Sequence, residues 1–82
     1  MTHVVLYGRP GCHLCEDALV MIEAVATRVP FTLAQQNIET EPELHARYLE
    51  RIPVVTIDGV ERFELLIDGS AFEQAVSNLS PP

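Results

Sequence analysis

Val4-Val5-Leu6-Tyr7-Gly8-Arg9-Pro10-Gly11-Cys12-His13-Leu14-Cys15 begins as an apolar run, passes through turn-forming residues and ends on two cysteines three positions apart. His3 to Tyr7 is short, β-branched and apolar, the pattern of a buried strand. Gly8, Pro10 and Gly11 are turn residues. From His13 to about Arg28 the apolar residues Leu14, Ala18, Leu19, Ile22, Val25, Ala26 and Val29 recur at helical spacing. Glu16 and Asp17 fall in the first turn, where acidic groups favour the helix dipole. Pro30 disfavours helical geometry at Val29 and stops the helix there. Cys12 therefore stands where turn becomes helix, with Cys15 on the same face. Residues three apart on a helix have Cβ atoms about 5–6 Å apart. A disulfide wants about 3.5–4.5 Å, so a small adjustment of the first turn closes the bond.

Working outward, Phe31 to about Gln36 reads as a second strand, weakened by the polar run Gln35-Gln36-Asn37. Thr40-Glu41-Pro42-Glu43 predicts a helix start with Thr40 as cap and Glu43 completing a capping box. That helix is short, with Leu44 and Tyr48 on one face. Ile52-Pro53 leads into Val54-Val55-Thr56-Ile57, a β run, and Asp58-Gly59 is a two-residue hairpin signal. The returning strand is expected from Val60 to about Leu66, with Phe63 and Leu65 on one face and Arg62 and Glu64 on the other. Ser70-Ala71-Phe72-Glu73 predicts a second capping box. Phe72, Ala75, Val76 and Leu79 then form the apolar stripe of a last helix. The order is β-α-β-α-β-β-α. A βαβ half has parallel strands and a right-handed crossover, and a hairpin is antiparallel. One mixed four-stranded sheet holds both, with helices on both faces and the first strand, apolar on both sides, at its centre. Residues 1–79 are expected to form one domain, with 80–82 a frayed tail.

The chain has 82 residues, 48% of them hydrophobic, enough for one core with little surplus. Five basic residues, all Arg, face twelve acidic ones, for a net charge of −7. That balance argues against nucleic acid and anionic membrane surfaces as partners. Only two cysteines are present, too close in sequence to staple distant parts of a fold. The first residues lack the basic-then-apolar pattern of a signal peptide, and no apolar run approaches a membrane span. The expectation is a cytoplasmic monomer, in a reducing setting where Cys-x-x-Cys is more often redox-active or metal-binding than structural.

Cys-x-x-Cys at the first βα junction and Ile52-Pro53 before the third strand together resemble the glutaredoxin-type branch of the thioredoxin fold. The sequence is most similar there to small glutaredoxin-like proteins that carry Tyr-x-Arg-x-x-Cys-His-Leu-Cys-Glu, here Tyr7, Arg9, Cys12, His13, Leu14, Cys15 and Glu16. The resemblance covers nearly the whole chain. It implies a thioredoxin/glutaredoxin-like α/β fold in which Pro53 is cis and packs beside the cysteine pair, while Ile52 offers backbone groups to the substrate. The alternative for Pro53 is an ordinary proline at a strand's first position. Two departures bear on the reductant. Glutaredoxins usually enclose Pro-Tyr between the cysteines, where this chain has His-Leu. Their Gly-Gly pair followed by an acid, which holds glutathione, is replaced by Ile67-Asp68-Gly69-Ser70. N–H groups around Ser70 remain candidate receivers of a glutathione carboxylate.

The chemistry follows from the residues themselves. A thiolate is the nucleophile, and a helix N-terminus stabilises it. Cys12, in the turn, is assigned attack on a substrate disulfide, and Cys15, a turn deeper, resolves the mixed disulfide. Arg9, His13 and Leu14 are candidate substrate-binding residues, to which the resemblance adds Ile52 and Pro53. Arg9 adds positive charge near Cys12. His13 either tunes the thiolate or is a solvated first-turn residue. Tyr7 either lines the site or caps the strand, and Arg51 is either a substrate contact or a helix-end cation. No bound cofactor is expected. The substrate is a protein or small-molecule disulfide, and glutathione or a thioredoxin-type reductase is the candidate reductant. Two alternatives stand beside this. Cys12, His13 and Cys15 are all ligand types, so the pair could belong to a zinc or iron–sulfur site completed by His3 or a second chain. The chain could equally be a non-catalytic interaction domain using the fold alone.

Overall fold

The apolar run at the head of the chain forms β1 (His3–Gly8), flanked on one side by the parallel β2 (Thr32–Asn37) and on the other by the antiparallel β3 (Val54–Ile57). β4 (Val60–Glu64) returns along β3, giving a four-stranded sheet of order β2-β1-β3-β4. Three helices complete the order expected from sequence: α1 (His13–Ala26), α2 (Pro42–Tyr48) and α3 (Gly69–Leu79). The computed structural model describes residues 1–79; the tail 80–82, expected to fray, lies outside the described residues. Among the described residues no helix is long and apolar enough to cross a membrane.

Strand periodicity sorts side chains onto two faces. On one face Val4 and Leu6 of β1 and Val55 and Ile57 of β3 meet Ala18, Ile22 and Val25 of α1 and Phe72, Ala75 and Val76 of α3. Phe72 is fully buried, with Phe31 and Phe63 edge-on at ring-centroid distances of 5.8 and 6.0 Å. On the other face a smaller cluster joins Val54 to Tyr48 of α2, Ile38, Ile52 and Cys15, with Tyr7 and Cys12 packed against it. β1 and β3 are the two inner strands and feed both cores, which is why they are apolar apart from His3 at the head of β1 and the buried Thr56 of β3. The Asp58-Gly59 hairpin forms as read, both residues at positive φ (51° and 84°), as a type I′ turn requires.

Three local expectations are corrected. Thr40 does not cap α2: it ends a 3-10 turn, Ile38–Thr40, donating its hydroxyl to the Asn37 carbonyl, and Glu41 takes the N-cap position without a side-chain bond. α3 starts earlier than the Ser70 capping box implied. Asp68 Oδ1 accepts the Ser70 N–H at 3.0 Å, and the Asp68 carbonyl accepts the Phe72 N–H. The carboxylate two residues upstream outcompetes the serine hydroxyl. β4 is shorter than read and contains a bulge: Val55 pairs Phe63 but Thr56 pairs Glu61, leaving Arg62 as the extra residue. The bulge reverses the alternation, so Glu61 and Glu64 share a face. Leu65 leaves the strand at φ 63°, its N–H bonded to the Pro53 carbonyl at 2.9 Å, and does not sit with Phe63.

Phe72→Ala is expected to lower stability by about 3–5 kcal/mol, a large share of what a small domain has. Urea unfolding followed by circular dichroism measures it.

Candidate functional site

Arg9-Pro10-Gly11-Cys12 folds into a turn closed by the Cys12 N–H donating to the Arg9 carbonyl at 3.3 Å. Proline at its second position and Gly11 at φ 80° at its third are what a type II turn demands. The turn delivers Cys12 to the N-cap of α1 in an extended conformation (φ −88°, ψ 107°). From there its sulfur accepts the Cys15 N–H at 3.2 Å, while its carbonyl accepts the Glu16 N–H and so starts the helix. Cys12 and Cys15 are joined by a disulfide with a Cα–Cα distance of 5.2 Å. The two sulfurs are not equivalent. Cys15 is 7% exposed, packed on the end of β1, whereas Cys12 is only partly buried. Gly8 makes the close packing possible: a Cβ there would come within 2.9 Å of Cys15 Sγ and 3.1 Å of its Cβ.

Beneath the disulfide lies an aromatic pair. The Tyr7 and Tyr48 rings are 4.9 Å apart and inclined at 42°. The Tyr48 hydroxyl donates to Glu61 Oε2 at 3.1 Å, and the guanidinium groups of Arg47 and Arg51 lie 5.6 and 5.5 Å from its ring centroid. Glu61 is the hub: it also binds Arg51, which in turn binds Glu64 at 3.1 Å, and Arg47 approaches it at 3.8 Å. The Arg51 guanidinium, helped by the Tyr48 hydroxyl, holds the Glu61 carboxyl below its ordinary value of 4.5. Burial, reinforced by Glu61, raises the Tyr48 phenol. Arg51, its side chain 36% exposed, is held in place because the β4 bulge gives it two carboxylates on one face. No alternating pattern in the sequence signals that arrangement.

The residues singled out from sequence fall as follows. The Ile52-Pro53 peptide is cis and Pro53 is fully buried. Ile52 packs in the same cluster as Cys15, and its N–H donates to the Tyr48 carbonyl at 3.0 Å. Arg9 faces Glu39 at 4.0 Å. His13 is 92% exposed, 3.6 Å from Glu16 one helical turn on. Leu14 is exposed at the start of α1. Tyr7 is half-buried against the cysteine cluster. An adjoining groove of about 330 Å³ runs behind the disulfide toward the end of β2, lined by Gly8, Arg9, Cys15, Glu16, Gln35 and Gln36 among others. The Ser70 N–H, a candidate carboxylate receiver, is taken by Asp68. His3 is at the opposite end of β1, bonded to Thr32 and, through its N–H, to Asp58, so it does not come to the cysteines as a ligand. Among the described residues no three His, Cys, Asp or Glu side chains converge as a metal site would need.

A mixed four-stranded sheet in this order, with a Cys-x-x-Cys disulfide at the first βα junction, defines a glutaredoxin-like protein with a thioredoxin-like fold. The chain belongs to the family described as Glutaredoxin-like domain (DUF836), which it matches over residues 3–78. It is similar to a Nitrosomonas europaea protein solved in solution, with 27% identity and a TM-score of 0.79 over 92% of this chain and 91% of that one. It is also similar to a structural-genomics target from X. campestris, with 26% identity and a TM-score of 0.71 over 95% and 99% of the two chains. A mutant thioredoxin from Halobacterium salinarum shares the fold at 17% identity, with a TM-score of 0.71 over 94% of this chain and 73% of that one. No curated protein matches the chain in sequence.

Gly8→Ala is expected to destabilise the oxidised protein by about 1–3 kcal/mol through crowding at Cys15, read from urea midpoints. Glu61 has a lowered folded pKa, so its stabilisation is present above 4.5 and is lost as pH falls through the lower folded value. Glu61→Gln should therefore flatten the acid limb of stability below about pH 4.5 while lowering stability near neutrality, measured by urea midpoints across pH.

Proposed function

We propose that this protein is a thiol–disulfide oxidoreductase or electron carrier that cycles Cys12 and Cys15 between dithiol and disulfide. The asymmetry of the pair carries the reading: a partly exposed sulfur at a helix mouth, bonded to a second that is 7% exposed. In the dithiol, a Cys12 thiolate accepts the Cys15 N–H that its sulfur accepts in the disulfide, within the positive end of a 14-residue helix. That favours Cys12 as the nucleophile. It attacks one sulfur of a substrate disulfide and releases the other as a thiolate; Cys15 then attacks Cys12 and releases the second. Arg9, His13, Leu14 and Pro53 flank the reacting sulfur in this reading. Because the Ile52 N–H is already donated to Tyr48, the backbone group left for a substrate there is its carbonyl.

Its substrate is a protein or small-molecule disulfide, with glutathione or a thioredoxin-type reductase returning the electrons. A cytoplasmic monomer fits a short acidic chain whose two cysteines face each other. The likeness to oxidised thioredoxins, such as that of Plasmodium falciparum, supports the fold on which this chemistry rests.

The test is a trap. In reduced protein Cys12 is expected to alkylate at least about tenfold faster than Cys15, following thiolate fraction and access. Cys15→Ser is expected to accumulate a mixed disulfide on Cys12, seen by intact mass. Equal, slow alkylation of both across neutral pH, with no trapped adduct, would rule the reading out.

A further inference from the structure

Resting on that redox reading, we infer that the Cys12 centre selects disulfides carrying positive charge over anionic ones, glutathione disulfide included. An anionic partner needs groups to receive its carboxylates, and those flanking the disulfide already hold carboxylates of the chain itself. Arg9, in the turn that delivers Cys12, faces Glu39 at 4.0 Å. The His13 imidazole, between the cysteines, faces Glu16 at 3.6 Å. Arg51, which leads into Ile52-Pro53, is held between Glu61 and Glu64. The Ser70 N–H at the start of α3, the other candidate receiver of a carboxylate, is taken by Asp68 Oδ1 at 3.0 Å. In the groove beside Cys15 the charged lining is one cation and one anion, Arg9 and Glu16, so it offers no net positive charge. Around this internally matched site lies a surface of net charge −7, five Arg against twelve Asp and Glu. Such a field repels anions and draws cations, changing association rates by about 10-fold to 1,000-fold at low salt.

The partner class that fits is a disulfide flanked by basic residues. For a disulfide RSSR the step balances without a further reagent. The Cys12 thiolate bonds to one sulfur and one RS⁻ leaves. Cys15 displaces the second RS⁻ from Cys12. Two electrons pass from the protein dithiol to the substrate, and the two RS⁻ take up protons.

The experiment mixes the reduced protein, in single turnover, with cystamine, bis(2-hydroxyethyl) disulfide and oxidised glutathione. Each rate constant is divided by that of dithiothreitol with the same disulfide, which removes differences in leaving-group pKa. The normalised rate for cystamine should exceed that for oxidised glutathione by at least about tenfold at low ionic strength. The neutral disulfide should fall between them, and the gap should close toward unity near about 0.5 M salt. Glu39→Gln, which releases Arg9 from its ion pair, should raise the oxidised glutathione rate severalfold and narrow the gap. Equal or reversed normalised rates, a gap that salt leaves unchanged, or no gain in Glu39→Gln each overturn the inference and leave the redox reading standing. If none of the three disulfides oxidises the protein, the redox reading fails and the inference falls with it.

Discussion

Cys15 lies against the bare backbone of Gly8, and the rest of the site depends on that contact. A Cβ at position 8 would stand 2.9 Å from Cys15 Sγ, so the absence of a side chain lets the first turn of α1 settle on the end of β1. With Cys15 seated there, the turn from Arg9 to Cys12 spans the gap and sets Cys12 at the helix mouth, half in solvent. β1 is an inner strand, paired on both sides, with Val4 and Leu6 buried on one face and Val5 and Tyr7 half-buried on the other. Its end is therefore a fixed platform, and the two sulfurs inherit that rigidity. The larger core fixes α1 along its length through Ala18, Ile22 and Val25, and the smaller one holds the disulfide from below through Tyr7, Tyr48 and Ile52.

Charge is organised differently from packing. Arg28 with Glu73, Arg9 with Glu39, and Arg47 and Arg51 with Glu61 and Glu64 are cross-element pairs with exposed or half-exposed side chains. Individually such surface pairs contribute little, about 0–1 kcal/mol. The Glu61 group is more constrained, because Tyr48 joins it and packs against Tyr7 under the cysteines. It ties the end of α2 to β4 on either side of the cis Ile52-Pro53 peptide. With five Arg against twelve Asp and Glu, acidic groups remain in excess once these pairs are made.

Much of the architecture was readable from local pattern. The apolar runs at Val4-Val5-Leu6 and Val54-Val55-Thr56-Ile57, the helical spacing after His13 and the Asp58-Gly59 turn each have one economical solution, and those solutions fit a single sheet. The capping of α2 and α3 was misread, because a capping box is a contest between nearby polar groups. Thr40 was drawn into the turn with Asn37, and Asp68 reached the α3 N-terminus ahead of Ser70. The end of β4 was misread for another reason. A bulge adds one residue without changing composition, so alternation alone placed Arg62 with Glu64 where the ladder pairs Glu61 and Glu64 on one face.

By itself the sequence determined the order of elements, the inner position of β1 and the delivery of two cysteines to the start of a helix, since each follows from periodicity and turn chemistry acting over a few residues. Tertiary structure alone decided that Cys15 is seated on the bare backbone of Gly8, that Arg51 is held between Glu61 and Glu64, and that Tyr48 packs with Tyr7 in the cysteine cluster. Those outcomes depend on contacts between residues far apart in the chain, whose geometry is set when two faces of one sheet are packed at once.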